Sequence, residues 1–298
     1  MNIIVLGAGA IGSFLGGMLS KEHNVVLVGR KDHVHAINND GLKIKGKTRL
    51  QRKIQAVETI KKAPHSPDLL ILTVKSFDTF QAITEAKPVI SSKTTILSFQ
   101  NGLDNIEQIK KVVEEKQIIA GITTHGVQHV TPGIIYHKGI GVTRIGELSS
   151  KISQRIQHLA SVFNEIEVPV IVSSTIIEDI WKKAIVNASI NPLTAIFQCP
   201  NGYLAKNPIL TNLVEQICAE STIIAQKKGF SFKVEEMIHY TRQVINQTEH
   251  NLSSMLQSVK QDKPTEINQI NGKIAEIGRS YGCDNSLNEL LTKMISSR

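Results

Sequence analysis

Apolar residues take two textures along the chain. In the first half they come as short runs: "NIIVLG" (2–7), "NVVLVGR" (24–30), "DLLILTVKS" (68–76), "TTILSFQNG" (94–102) and "IIAGITTHG" (118–126). Runs of this length, closed by Gly, Asn or Lys, predict strands buried on both faces of a parallel sheet. Amphipathic stretches such as "AIGSFLGGMLSKE" and "SFDTFQAITEAKPVI" lie between them, and the alternation predicts a doubly wound α/β domain.

From 127 to about 172 the pattern changes. "TPGIIYHKGIGVTRIGEL" predicts an antiparallel pair around Pro132-Gly133 and Gly139, followed by a helix and the strand "VPVIVSS", all extending the sheet edge. Beyond residue 174 helical periodicity takes over, at 176–197, 208–228, 232–248, 252–262, 265–280 and 285–296, with Asn207 as an N-cap and Pro208 in the first turn. The expected fold class is α/β: an N-terminal Rossmann-type doubly wound domain over 1–170, then an all-α C-terminal domain over 171–298.

One helical run breaks the apolar pattern. "IWKKAIVNASINPLTAIF" (180–197) carries Lys183, Asn187 and Asn191 at intervals of four. At about 100° per residue these three fall on one face, whereas Lys182 points elsewhere. A lysine and two amides in one stripe need hydrogen-bonding partners, so the stripe is a ligand face, a solvated face or a seam of helix–helix hydrogen bonds. Pro192, directly after Asn191, is expected to kink or end the helix.

Composition narrows the class. With 41% hydrophobic and 20% charged residues among 298, the chain is an ordinary globular protein. The absence of a long apolar run and of a basic leader predicts a cytosolic protein without a membrane span. Cys199, Cys218 and Cys283 have no CxxC spacing, which predicts reduced structural thiols. The charge of +8 is spread along the chain, dense only in "GLKIKGKTRLQRK" (41–53); an anionic small ligand accounts for it as well as nucleic acid does, and with no base-stacking or groove-reading motif nucleic-acid binding is not expected. His125 and His129 lack an accompanying carboxylate, so no metal is expected. There is no GxSxG elbow for a serine nucleophile.

"GAGAIG" (Gly7, Ala8, Gly9, Ala10, Ile11, Gly12) follows the first strand and opens the first helix, the setting of a dinucleotide fingerprint. Gly7 allows the sharp turn, Gly9 lets backbone amides approach a pyrophosphate, and Gly12 lets helix and sheet pack closely. The second strand ends on Gly29-Arg30-Lys31 rather than on a carboxylate. A guanidinium can grip a ribose 2′-phosphate bidentately, which predicts NADPH/NADP+; the alternative is a pair of solvated surface cations. Lys75 and Asn101 end two further strands, where an open sheet presents its ligand crevice, either as contacts or as simple caps.

Several of these pieces resemble ketopantoate reductases (2-dehydropantoate 2-reductases): "GAGAIG", "TVKSFDT", "FQNGLDN", "GITTHG", "WKKAIVNASINPLTAIFQCPNG", "NLSSMLQSV" and "PTEINQING", in order from residue 7 to 272. The resemblance implies NADPH-dependent reduction of 2-dehydropantoate to (R)-pantoate in pantothenate and coenzyme A biosynthesis, with the active site between the two domains. It implies that Lys183 donates the proton to the keto oxygen. Asn187, Asn191, Asn201, Asn101 and the run Asn251, Leu252, Ser253, Ser254 would contact the substrate. Glu266 would sit at the cofactor ribose close to the reacting groups, and Val127 would take a cofactor-contact position often held by a smaller residue. A homodimer is compatible with it.

The chemistry asks for the same parts. A 2-keto acid needs a hydride over its carbonyl carbon, an acid for the oxygen and donors for the carboxylate. Burial lowers a lysine's pKa and a carboxylate such as Glu266 raises it, so the pair can tune proton donation near neutral pH. Two rivals keep some of these features: a sister reductase acting on another branched 2-keto acid, and a non-catalytic NADPH-sensing module.

Overall fold

The computed structural model describes residues 1–64 and 66–297. The chain divides into two compact units, Met1–Gln100 with Asn105–Ile177, and Asn101–Asp104 with Glu178–Arg298.

The first unit holds strands β1 (Asn2–Leu6), β2 (Asn24–Val28), β3 (Leu42–Gly46), β4 (Leu50–Arg52), β5 (Gln55–Val57), β6 (Leu69–Leu72), β7 (Thr95–Ser98), β8 (Ile118–Thr123), β9 (Gly126–Thr131), β10 (Ile134–Gly139), β11 (Thr143–Glu147) and β12 (Val170–Val172). Its helices are α1 (Ala10–Leu19), α2 (Lys31–Asp40), α3 (Thr79–Ala86), α4 (Asn105–Lys110) and α5 (Gln154–Glu165). The main sheet runs β12-β11-β8-β7-β6-β1-β2-β5. Its neighbours pair parallel except β8 with β11. The strand order reverses at β1, with β2 on one side and β6 on the other, and such a switch point opens a crevice at the strands' carboxyl ends.

The apolar runs become strands because helices cover both faces. Ile3 and Val5 of β1 join one core with Phe14, Leu15, Leu27 and Phe163. Ile4 and Leu6 join the other with Val26, Leu70, Leu72 and Ile83. Each such buried aliphatic side chain contributes roughly 1.5–3 kcal/mol relative to exposure.

One expectation is corrected. The antiparallel pair β9–β10 forms as predicted but does not extend the main sheet; it forms a second sheet, β4-β3-β10-β9. The cause is β3, where Leu42 and Ile44 alternate with Lys43 and Lys45. The apolar face of β3 packs on α1 at Gly17, whose missing side chain admits Leu42 and Ile44. β11 and β12 do extend the main sheet at its edge.

The second unit is helical among the described residues: α6 (Ile176–Phe197), α7 (Tyr203–Lys206), α8 (Pro208–Lys227), α9 (Val234–Gln247), α10 (Ser254–Lys260), α11 (Lys273–Ser280) and α12 (Ser286–Ser296). A π-helical turn, Asn268–Gly272, leads into α11. Asn207 Oδ1 accepts from the amides of Ile209 and Leu210, which caps α8 at Pro208 as expected. Pro192 does not end α6, which continues to Phe197. No helix among the described residues is long and apolar enough to cross a membrane.

Candidate active site

In the first unit, the glycine turn sits at the carboxyl end of β1. Gly7 has φ +111°, a left-handed value that L side chains rarely adopt, and a Cβ there would stand 2.4 Å from the Val74 amide. A Cβ on Gly12 would lie 2.2 Å from Gly7 O, so helix α1 can cross the turn only at glycine. Thr73 Oγ1 donates to Gly7 O at 2.8 Å and ties the end of β6 to this turn. Gly9 differs: a Cβ would meet nothing nearer than 4.0 Å, so its face of the turn is open. Ala8 is buried, while Ala10 and Ile11 are half-buried at the start of α1. The first turn of α1 carries no acidic residue, which leaves the positive end of its dipole for an anion.

Arg30 is exposed at the end of β2 and serves as N-cap position of α2. Lys75, half-buried, follows β6 and opens a 3-10 turn at Ser76. Val127 lies on β9, partly buried against the first core. Gly7–Gly12, Arg30 and Lys75 thus stand at the ends of three adjacent strands, β1, β2 and β6.

His129 pairs with His33 across 3.1 Å, and His125 pairs with His137 across 3.1 Å. His33 also contacts Ser13 Oγ and accepts from the Gly133 amide. These imidazoles bond one another and the backbone, and no group of three or more metal-ligating side chains occurs among the described residues.

In the second unit the polar stripe lies on α6. From Ala184 to Ala195 every residue is buried except Asn187, which is half-buried like Lys183 one turn before it. Trp181, Ile185 and Ala188 take the opposite faces and are almost fully buried. Burial pushes the Lys183 ammonium down to about 8, against the upward pull of the Glu266 carboxylate. Glu266 is itself only 6% exposed, and Asn101 Nδ2 donates to its Oε2 at 3.1 Å. Lys182 points away from this group, its ammonium over the Phe232 ring at 5.5 Å.

The remaining predicted residues gather around the end of α6. Thr194 Oγ1 bonds Asn191 O at 2.9 Å and lies 2.7 Å from Ser253 Oγ, which in turn caps α10 by accepting from the Leu256 amide. The Asn201 amide donates to Asn251 O, and Asn201 Nδ2 donates to Thr248 Oγ1. Asn201 Oδ1 is buried with no hydrogen-bond partner. Leu252 packs on the apolar cluster of Ala195, Met255 and Ile267, while Asn251 and Ser254 are exposed. Thr194 was not among the residues expected from sequence; its hydroxyl at three positions past Asn191 is the signal that marks it. The second unit therefore brings together Lys183, Glu266 and Asn101, and joins Asn191 to Ser253 and Asn201 to Asn251. The glycine turn, Arg30, Lys75 and Val127 belong to the first unit.

Known proteins resemble this chain over its whole length. The chain is 37% identical to a 2-dehydropantoate 2-reductase of Pyrococcus abyssi, covering 100% of this chain and 98% of the relative. It is 33% identical to the enzyme of the same name from Vibrio cholerae, covering 100% and 97%. Among solved structures, a PanE/ApbA family ketopantoate reductase from Ralstonia eutropha superposes with a TM-score of 0.92 at 28% identity, covering 100% and 98%. A D-mandelate dehydrogenase in ternary complex with NADH and anilino(oxo)acetate superposes with a TM-score of 0.94 at 26% identity, with the same coverage. The family model for ketopantoate reductase PanE/ApbA matches residues 3–150 and that for its C-terminal part matches residues 175–298, so the chain belongs to the ketopantoate reductase family.

Proposed function

We propose that the protein reduces 2-dehydropantoate to (R)-pantoate with NADPH, Lys183 being the proton donor. The observation that carries this reading is the Lys183–Glu266 pair: a buried ammonium lowered to about 8 beside a buried carboxylate, one turn from Asn187. An acid with a pKa near the working pH transfers a proton most effectively.

A bound nicotinamide would supply the hydride. The open face at Gly9, the acid-free start of α1 and the cation at Arg30 fit a dinucleotide carrying a 2′-phosphate. As the carbonyl carbon gains hydride, the carbonyl electron pair moves onto oxygen. Lys183 Nζ stabilises that charge and gives up a proton, becoming an amine that regains its proton from water. Asn187 and Asn191 offer amide donors to the substrate without adding charge, and Glu266 keeps the lysine protonated in the ground state. Asn101, Asn201 and the Asn251–Ser254 turn complete the proposed contacts. Free buried thiols at Cys199 and Cys218 fit a reducing, cytoplasmic setting.

A second reading is favoured by the D-mandelate dehydrogenase likeness: the same lysine and stripe acting on a different 2-keto acid, with NADH. Steady-state rates on a panel of 2-keto acids with each cofactor separate the two. A higher kcat/KM for another keto acid than for 2-dehydropantoate, or for NADH than for NADPH, would replace the first reading with the second.

A further inference from the structure

Proline 192 has no N–H, so the helical donor for the carbonyl four residues before it, Ala188 O, is missing. A buried carbonyl without a donor is costly, and Ala188 is fully buried. Asn271 fills the gap from another element, its Nδ2 donating to Ala188 O at 3.1 Å. The second proton of that amide goes to Asn288 Oδ1 at 2.9 Å. Asn288 Nδ2 donates onward to Glu220 Oε1 at 2.7 Å and to Ser221 Oγ at 3.0 Å. Glu220 also accepts from the amides of Leu287 and Asn288 in the first turn of α12, which sets its charge against that helix's positive end. Two acceptors at Asn271 Nδ2 leave only one orientation for the amide, because a flip would face carbonyl against carbonyl.

The two ends of this bond sit in informative places. Ala188 lies on the turn of α6 between Asn187 and Asn191. Asn271 lies five residues after Glu266, inside the π-helical turn. In that turn the Gly272 amide reaches Ile267 O at 3.0 Å, a wider ring than an α-helix closes, and π-turns recur at functional sites. Asn271 Oδ1 is buried with no hydrogen-bond partner, a cost that an apolar residue of similar size would avoid.

We propose that Asn271 is a positioning residue: it replaces the hydrogen bond that Pro192 removes and thereby fixes the Asn187–Asn191 turn of α6 to the segment that begins at Glu266. The inference rests on the reading of that turn as a substrate contact. Pro192 and Asn271 are in this view one device, a helix bond exchanged for a tertiary one.

The test is a double-mutant cycle of Asn271→Leu and Pro192→Ala, read by steady-state kinetics with 2-dehydropantoate and by thermal melting. Asn271→Leu is expected to raise KM for the keto acid about tenfold or more. Adding Pro192→Ala restores an N–H for Ala188 O and is expected to return KM to within about threefold of the Pro192→Ala single variant. A folded Asn271→Leu protein with a lower melting temperature but unchanged KM and kcat would show a merely structural bond and overturn the proposal. So would additive kinetic effects of the two substitutions. If Asn271→Leu does not fold, recovery of folding in the double variant supports the exchange and continued failure refutes it. A wild-type protein that leaves 2-dehydropantoate unreduced sinks the reductase reading itself, and does so before any variant is compared.

Discussion

Asn101 and Glu266, 165 positions apart, share a 3.1 Å hydrogen bond, and the carboxylate so held pulls the Lys183 ammonium back toward its charged form. The acid of the proposed reaction is thus balanced between burial, which drives it down to about 8, and one neighbouring negative charge. Removing that charge has a signed consequence. In Glu266→Gln the lysine should lose its proton at lower pH, so the alkaline limb of the kcat profile should move down by about one pH unit. A pH–rate series on both proteins checks it, and an unmoved limb would remove Glu266 from the tuning of Lys183.

Arg30 stands exposed where β2 ends, with no acidic residue in its place to bond a ribose hydroxyl. Arg30→Ala should raise KM for NADPH about tenfold or more while leaving that for NADH within about twofold, since a lost charged hydrogen-bond pair is worth roughly 1.5–3 kcal/mol. Parallel kinetics with the two cofactors read the ratio directly.

The glycines of the turn separate fold from function. A Cβ on Gly12 meets Gly7 O at 2.2 Å, so Gly12→Ala should cost about 1–3 kcal/mol or more of stability. Gly9 has φ −82° and no atom nearer than 4.0 Å to a new Cβ, so Gly9→Ala should melt within a few degrees of wild type. Its added methyl should nonetheless weaken dinucleotide binding by crowding the pyrophosphate. Melting curves with and without NADPH distinguish the two variants.

The imidazoles packed on α1 predict how the protein responds to acid. Burial, with His129 beside it, lowers His33 to about 4; burial, with His137 beside it, does the same to His125. Both are neutral in the fold and take up a proton on unfolding below the ordinary value of 6.5. Stability should therefore be level above that value and fall as pH drops from 6.5 to 4, by up to about 1.4 kcal/mol per pH unit for each histidine. Urea melts across that window measure it, and His33→Gln with His125→Gln should flatten the slope.

What could be read along the sequence was whatever repeats locally. Continuous apolar runs marked the parallel strands, and "IWKKAIVNASINPLTAIF" marked α6 with its stripe, because burial imposes a period on neighbouring residues. β3 is hard to read as a strand because the charge of "LKIK" masks the alternation of Leu42 and Ile44 with the lysines. Its pairing with β10, some ninety residues away, depends on how both pack on α1, and no local pattern encodes that. The link of Asn101 to Glu266 was equally out of reach, since Asn-Gly reads as a turn wherever it occurs. Pro192 shows in the sequence that a helical donor is missing, but not that Asn271 supplies another.

The choice between two adjacent lysines tests the account most directly. Lys182 lies over Phe232, and Lys183 meets Glu266. NADPH oxidation by 2-dehydropantoate, followed by absorbance, should fall about 10²–10⁴-fold in Lys183→Ala and stay within about threefold of wild type in Lys182→Ala. Equal rates from wild type and Lys183→Ala would contradict the proposed mechanism.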